Sequence, residues 1–395
     1  MENVMKKIRD VVKSNMRQYA MLIALVVLMV LFGILTDGIL LMPRNVSKLI
    51  YQNSYILILA VGMVLCILTG GHIDLSVGSV LAFVSAASAM FSVFWGLPAW
   101  LSIILGLLMG LLAGMWQGFF IAYVKVPPFI TTLGGMMLFR GINNLILNGK
   151  TIGLPDLYIK IASGVMPDFL GTGEGLHITT IVIGVILALV YVAFSITSRI
   201  SKKNQGFEVP SLQGFIVKLV AISAVINLFT FWLARDDGLP NVLIIIALLI
   251  GVYTFITNKT VAGRHIYALG GNAKAAELSG INTKKIMFWV YANMGLLAAL
   301  SGIVYAGRLN AASPLAGDKV ELDAIASCFI GGASASGGVG TVIGAVIGAF
   351  IMGILNNGMS IIGLSIFWRE IIKGLVLLVA VAFDVYSKSR AKKSA

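Results

Sequence analysis

An all-α polytopic membrane protein is the fold class this sequence predicts, and three observations predict it. Of 395 residues, 58% are hydrophobic and only 11% charged, far from the balance of a water-soluble domain. The charged residues gather between apolar runs that reach the roughly 20 residues needed to cross about 30 Å of hydrocarbon. Those runs are continuous, whereas a membrane-spanning barrel would alternate in segments of about ten residues. A soluble enzyme is excluded, and the spans are read as helices.

The first 18 residues carry Lys6, Lys7, Arg9, Lys13 and Arg17. The apolar run behind them is too long for a signal-peptide core and lacks a small-x-small cleavage site, so it is expected to remain as an anchor. Spans are expected at 19–41, 46–69, 74–95, 98–124, 127–148, 176–198, 211–234, 241–257, 286–306, 320–335, 339–360 and 364–386, about twelve in all. The stretches 70–80 and 330–340 are too glycine-rich for ordinary helix and read as broken or re-entrant. Gly106, Gly110, Gly114 and Gly118, and again Gly340, Gly344 and Gly348, recur every four residues. Such smooth faces serve close packing in the first instance, and sliding in a second reading.

Two connections are long. The first, 149–175, contains Gly, Pro and acidic residues; the second, 258–285, contains a recognisable short helix. There Asn272 suits an N-cap, Ala273 to Ser279 are good helix formers, and Gly280 fits the left-handed position that ends a helix. Ala273, Ala275, Ala276 and Leu278 give this helix a small apolar surface bordered by Lys274 and Glu277, a surface that invites a partner.

The formal charge of +13 sits at the ends of apolar runs, where it contacts anionic lipid and sets orientation rather than binding nucleic acid. With the amino terminus inside, the inner segments hold the basic tail, Lys125, the Arg199–Lys203 group, the loop from Lys259 to Lys285 and the carboxy-terminal bases from Lys388 onward. The outer segments hold fewer, among them Arg44, Lys150, Lys160 and Arg235. Both termini are therefore expected in the cytoplasm.

No catalytic residues stand out. His72, His177 and His265 lie in three separate segments without metal-ligand spacing, and Cys66 and Cys328 read as small buried hydrophobes rather than a disulfide. Gly149-Lys150-Thr151 ends like a phosphate-binding loop, but Asn144 stands where that pattern needs Gly. Ion coupling also lacks support, because few ionisable groups fall inside spans. Arg140 does, followed by Asn143 and Asn144, and either lines a polar interior or pairs with a backbone carbonyl or a carboxylate such as Asp74 or Asp384. The segment LTGGHIDLSVGSVLAF, residues 68–83, reads as a helix that ends, a polar break at Gly70, Gly71, His72 and Asp74, and a restart through Ser76 and Gly78. Residues 322–350 have the same character, which hints at an internal repeat.

At GHIDLSVGS (71–79), PPFITTLGGMMLFRGI (127–142), YALGGNAKAAELSGI (267–281), ELDAIASCFIGGASASGGVGTVIGA (321–345) and ILNNGM (354–359) the chain resembles the membrane permeases of ATP-binding-cassette monosaccharide importers, the ribose, xylose, arabinose and galactose group. The resemblance covers nearly the whole chain. It implies a ten-helix core in two inverted-repeat halves, and the hairpin at roughly 199–257 looks like an insertion that favours the xylose or multiple-sugar type. The organisation implied is a basic tail (1–18), a first transmembrane half (19–198), the inserted hairpin (199–257), a cytoplasmic coupling loop (258–285), a second transmembrane half (286–386) and a second basic tail (387–395). His72 departs from the Gly-Gly-Ile-Asp arrangement of ribose-type members.

The resemblance further implies a bacterial inner-membrane protein, not itself an enzyme, working as two permease copies with a cytoplasmic ATPase and an extracytoplasmic sugar-binding protein. ATP and Mg would be bound by the ATPase, with no cofactor or metal on this chain. Asn272, Ala275, Ala276, Glu277, Ser279 and Gly280 would couple to that ATPase. The path or gate would draw on Gly71, His72, Asp74 and Ser76, with Thr131, Thr132, Arg140, Asn143, Asn144, Asn356 and Asn357 offering polar groups to a sugar. An importer of another small polar solute such as a nucleoside, an ion-coupled sugar carrier and a passive channel are the alternatives.

Overall fold

The computed structural model describes residues 16–171, 175–207, 209 and 211–393. Most of the expected basic tail 1–18 and the last two residues of the tail 387–395 lie outside the described residues. The long helices are α1 (Met16–Leu35), α2 (Pro43–Leu68), α3 (Val77–Ala89), α4 (Ala99–Phe119) and α5 (Pro128–Leu147), with α3 and α4 extended by π-turns to Phe94 and Val124. After a short α6 (Asp156–Ala162) come α7 (Ile178–Asn204), α8 (Leu212–Ala234) and α9 (Asn241–Lys259). The second connection forms α10 (Val261–Gly271) and α11 (Ala273–Leu278), and the chain ends with α12 (Thr283–Leu309), α13 (Val320–Ile330), α14 (Val342–Ile361) and α15 (Ile366–Lys393).

Each expected span meets a helix, and eight of the described helices are long and apolar enough to cross a membrane. The tenth expected span, 320–335, is corrected. Its helix α13 has 11 residues and rises about 16 Å at 1.5 Å per residue, half a bilayer core. Gly331 and Gly332 end it, and the chain stays irregular to Thr341 before α14 begins.

The core lies around α2 and α12. From Ile56 to Leu68 α2 is buried on every side, as a helix apolar all round should be. The α12 helix packs along α2, α3 and α4. Here the glycine stripe of α4 has its explanation: a Cβ on Gly114 would press on the backbone of Tyr291, Ala292 and Gly295, so the two backbones meet without side chains between them. Gly344 and Gly348 bring α14 equally close to Gly331 and Ser327 of α13. Both stripes serve close packing in this structure.

At the periphery α7 and α8 pack mainly on each other, whereas α9 packs on α2 and α14. Phe194, Val217, Val225, Phe383 and many other apolar side chains of α7, α8 and α15 face outward, which suits lipid rather than water.

The connection 149–175 is more ordered than its composition suggests. Ile152–Gly153 pairs antiparallel with Ala311–Ala312, Val165 bridges to Pro240, and α6 buries Tyr158 against α12. Asp168 closes this connection by capping α7: its carboxylate accepts from the Thr179 amide (3.0 Å) and hydroxyl (2.6 Å) and from the Ile178 amide (3.1 Å). The Thr179 hydrogen bonds, above all, hold the Asp168 carboxyl well below the usual carboxylate range. A carboxyl depressed in the folded state stabilises fully above its unfolded value near 4, and loses that contribution as pH falls toward the folded value. Hydrogen exchange at Leu170, Ile178 and Thr179 is therefore expected to be slow and pH-independent after correction above about pH 5, and to accelerate below about pH 4. Asp168→Asn should show the fast exchange at every pH; an unchanged profile in that variant would remove the cap from the account.

Candidate functional site

The two glycine-rich breaks meet. The first runs from Thr69 to Ser76 between α2 and α3, the second from Gly331 to Thr341 between α13 and α14. The Gly338 amide donates to the Leu68 carbonyl at 3.0 Å, and a Cβ on Gly337 would fall 2.5 Å from the Cα of Gly70. Gly71 (φ +75°) and Gly337 (φ +77°) both hold left-handed backbone that an L side chain rarely adopts, at the point of closest approach. Backbone freed from helix here is satisfied by the other break, which is how irregular chain is tolerated within a membrane bundle.

Around this crossing the side chains are locked to one another. Asp74 is buried and accepts from the Ser76 amide (2.8 Å) and hydroxyl (2.6 Å), while Gln117 of α4 donates to the same hydroxyl (2.6 Å). His72 has Nδ1 buried without a hydrogen-bond partner among the described residues. On the far side, Asp384 of α15 accepts from the Ser334 hydroxyl and the Ala335 amide.

A third element joins the crossing. The Tyr267 hydroxyl of α10 donates to the Gly340 carbonyl at 2.8 Å, and Gly270 lies against the Leu68 carbonyl and the Gly338 amide. The α10 helix is continuous with α11 through one extended residue, Asn272, whose side chain accepts from the Ala275 amide at 3.0 Å. At the other end Gly280 takes φ +82°, and Gly280 and Ile281 donate to the Glu277 and Ala276 carbonyls. The capped two-turn helix is thus formed as the residues dictate.

One part of the expected surface is corrected. Ala276 is buried, because a helix lying on the bundle must turn one face toward it, and Ala276 is on that face. The outward residues are Asn272, Lys274, Ala275, Glu277, Ser279 and Gly280, with Leu278 standing 82% exposed at the tip. Sequence reasoning missed α10. Its signal was the run Val261–Gly271, in which Ile266 and Leu269 sit on one face and Thr260 caps the start.

The other polar candidates divide. Thr131 and Thr132 donate within their own helix, to Pro127 and Phe129. Arg140 donates to the Ala316 carbonyl and Asn143 to the Pro314 carbonyl (3.1 Å), so α5 grips the loop before α13. Of the alternatives for Arg140, the backbone carbonyl is the one realised. Asn144 is exposed. Asn357 of α14 exchanges hydrogen bonds with Asn45 (2.8 and 3.3 Å) and donates to Gln52 (3.3 Å), pinning α14 to α2. Asn356, its neighbour, faces a cavity instead.

Broken helices crossing inside a polytopic bundle, with a capped surface helix wired to the crossing, define a membrane transport component. The chain belongs to the branched-chain amino acid transport system / permease component family, which matches residues 45–173 and 162–381. It is 41% identical over 377 residues to the xylose transport system permease protein XylH of Haemophilus influenzae, covering 95% of this chain and 98% of that one. The XylH protein of Escherichia coli K12 is also 41% identical, over 95% of this chain and 94% of its own length. The ribose import permease protein RbsC of Bacillus subtilis is 35% identical over 93% of each chain. No solved structure matches the chain at a significant level.

Proposed function

We propose that this chain is the permease subunit of an ATP-binding-cassette importer for a monosaccharide, of the xylose or multiple-sugar type, in a bacterial inner membrane. Two copies form the path, a separate ATPase binds ATP and Mg and grips α11 from the cytoplasm, and an extracytoplasmic binding protein delivers the sugar at the opposite end. Both termini lie in the cytoplasm, and the chain itself catalyses no reaction. The coupling loop spans 258–285 and divides two transmembrane halves, with the hairpin at roughly 199–257, which carries α8 and α9, added to a ten-helix core.

The observation that carries this reading is the mechanical line from α11 through α10 to the crossing of the breaks. A push on α11 reaches the two breaks through Tyr267 and Gly270, with only backbone and one aromatic ring between. Since the chain lacks a nucleotide-binding loop, energy enters as motion of this segment, and rocking of the bundle about the crossing opens the path.

Leu278→Asp tests the coupling surface without disturbing the fold, because the side chain is outside. In proteoliposomes holding the permease, the ATPase and the binding protein, it is expected to cut sugar uptake and sugar-stimulated ATP hydrolysis by about tenfold or more, the effect of losing an exposed interface anchor. Uptake equal to the unmodified chain would refute the assignment of α11. Accumulation driven by a proton gradient without ATPase would favour the ion-coupled carrier, and nucleoside uptake in place of sugar would change the cargo.

A further inference from the structure

At the end of the bundle away from α11 lies a cavity of about 410 Å³, to which Asn356 of the ILNNGM segment contributes. Its size is that of a small-molecule pocket, roughly 300–1,000 Å³. Five helices and one loop build it: Asn53 and Tyr55 come from α2, Arg308 from the end of α12, Asp318 from the loop before α13, Asp323 from α13, Asn356 from α14 and Arg369 from α15.

The wall is made of groups that both donate and accept. Charges on it are nearly balanced, and two cations are already taken: Lys373 donates to Asp323 at 2.8 Å and Lys319 to Glu370 at 2.7 Å. Arg308 lies over the Tyr55 ring, 5.7 Å from its centroid, and reaches the Gln52 carbonyl only at 3.5 Å. Arg369 has its Nε buried without a hydrogen-bond partner, and Asp318 makes no ion pair, among the described residues. A buried guanidinium donor left unmet is costly and calls for an acceptor. Guanidinium forks bind paired oxygens, amides serve either polarity, and a carboxylate accepts; hydroxyls, each one donor and two acceptors, satisfy all three. An anionic solute would meet Asp318, Asp323 and Glu370 on the same wall.

We propose that this cavity receives the solute: a neutral polyhydroxylated molecule of monosaccharide size binds here, its hydroxyls met by Arg308, Arg369, Asn356 and Asp318, before the crossing of the breaks opens. This rests on the importer reading above. It adds a site at the outer end of the path, distinct from the locked contacts of Arg140, Asn143 and Asn357.

The complete importer in proteoliposomes tests it, with radiolabelled xylose as the probe and loaded binding protein outside. If the unmodified importer moves no monosaccharide, the importer reading fails and this site with it. If it does, Asn356→Ala and Arg369→Lys are each expected to lower the sugar moved per ATP hydrolysed by about tenfold, the size of one charged or amide hydrogen bond to a ligand. The binding-protein concentration giving half-maximal ATP hydrolysis should stay within about twofold. Ser360→Trp, which fills the cavity and leaves Arg308, Arg369, Asn356 and Asp318 in place, should lower the same ratio and covers the case in which Arg369→Lys assembles poorly. An unchanged ratio in Asn356→Ala and Ser360→Trp would overturn the proposal. So would a shift in the binding-protein requirement with the ratio intact, because the face would then be a docking surface for that protein.

Discussion

Gly270→Val is expected to abolish uptake while Gly271→Ala, one residue away, leaves it intact. The contrast follows from what each new side chain meets. A Cβ on Gly270 would overlap the Leu68 carbonyl oxygen and lie 2.5 Å from the Gly338 amide nitrogen, whereas a Cβ on Gly271 meets nothing within 4 Å. Both atoms at Gly270 are backbone and are already hydrogen-bonded to each other at 3.0 Å, so neither can rotate away. Overpacking of this kind costs about 1–3 kcal/mol or more, and here the strain falls on one joint: α10 separates from the crossing, or the crossing opens. Most of the bundle's buried contacts are remote from this joint, so the chain should still reach the membrane. Uptake and ATP hydrolysis measured together in the reconstituted importer decide the matter. The expected result is hydrolysis that no longer responds to sugar-loaded binding protein, with no accumulation. Transport by Gly270→Val at the rate of Gly271→Ala would mean that α10 is a passive connector.

The positions of the helices, the two breaks and the capped surface helix were legible in the sequence because each has a local cause. Apolar length sets a span, clustered Gly sets a break, and Asn272 and Gly280 set the ends of α11. The contacts among these parts were not legible, because they depend on register between segments about 270 residues apart, such as Leu68 with Gly338. Local pattern also misassigned individual side chains. Ala276 looked available in a run of small residues, but which alanine faces the bundle depends on how the helix lies on it. Arg140, Asn143 and Asn357 could be read either as groups that line a path or as groups that hold neighbouring chain, and sequence pattern does not separate the two, whereas their partners in the fold, Ala316, Pro314 and Asn45, are set by tertiary contact. For α13 the break at 330–340 was legible from its glycines, but the boundary was not: the expected span ran to 335, whereas the helix stops at Ile330. No local signal pointed to Arg369 and Asn356 sharing a cavity, since they lie on consecutive helices and meet only through the turn at Gly363.

Lys373→Met is expected to be the most destabilising single substitution of a charged group in the bundle, and Asp323→Leu with Lys373→Met together should recover most of the loss. The Lys373 ammonium donates to both Asp323 oxygens, at 2.8 and 3.1 Å, with the two side chains only 23% and 12% exposed. Removing the lysine leaves a carboxylate on α13 without its cation in a poorly hydrated place, which costs about 3–5 kcal/mol; replacing both by apolar groups removes the desolvation penalty along with the attraction. Thermal unfolding of the detergent-solubilised chain should therefore rank the double variant near the unmodified protein and Lys373→Met well below it. A single variant as stable as the double one would make the pair a solvated contact of small worth. The pair matters because of where α15 holds the second break. Lys373 grips the half-helix before it, and Asp384, about 16 Å further along α15, receives hydrogen bonds from Ser334 and Ala335 within it. Two grips at that separation tie both α13 and its break to α15, so loss of the Lys373 grip should loosen the half-helix while the Asp384 contacts still hold the break.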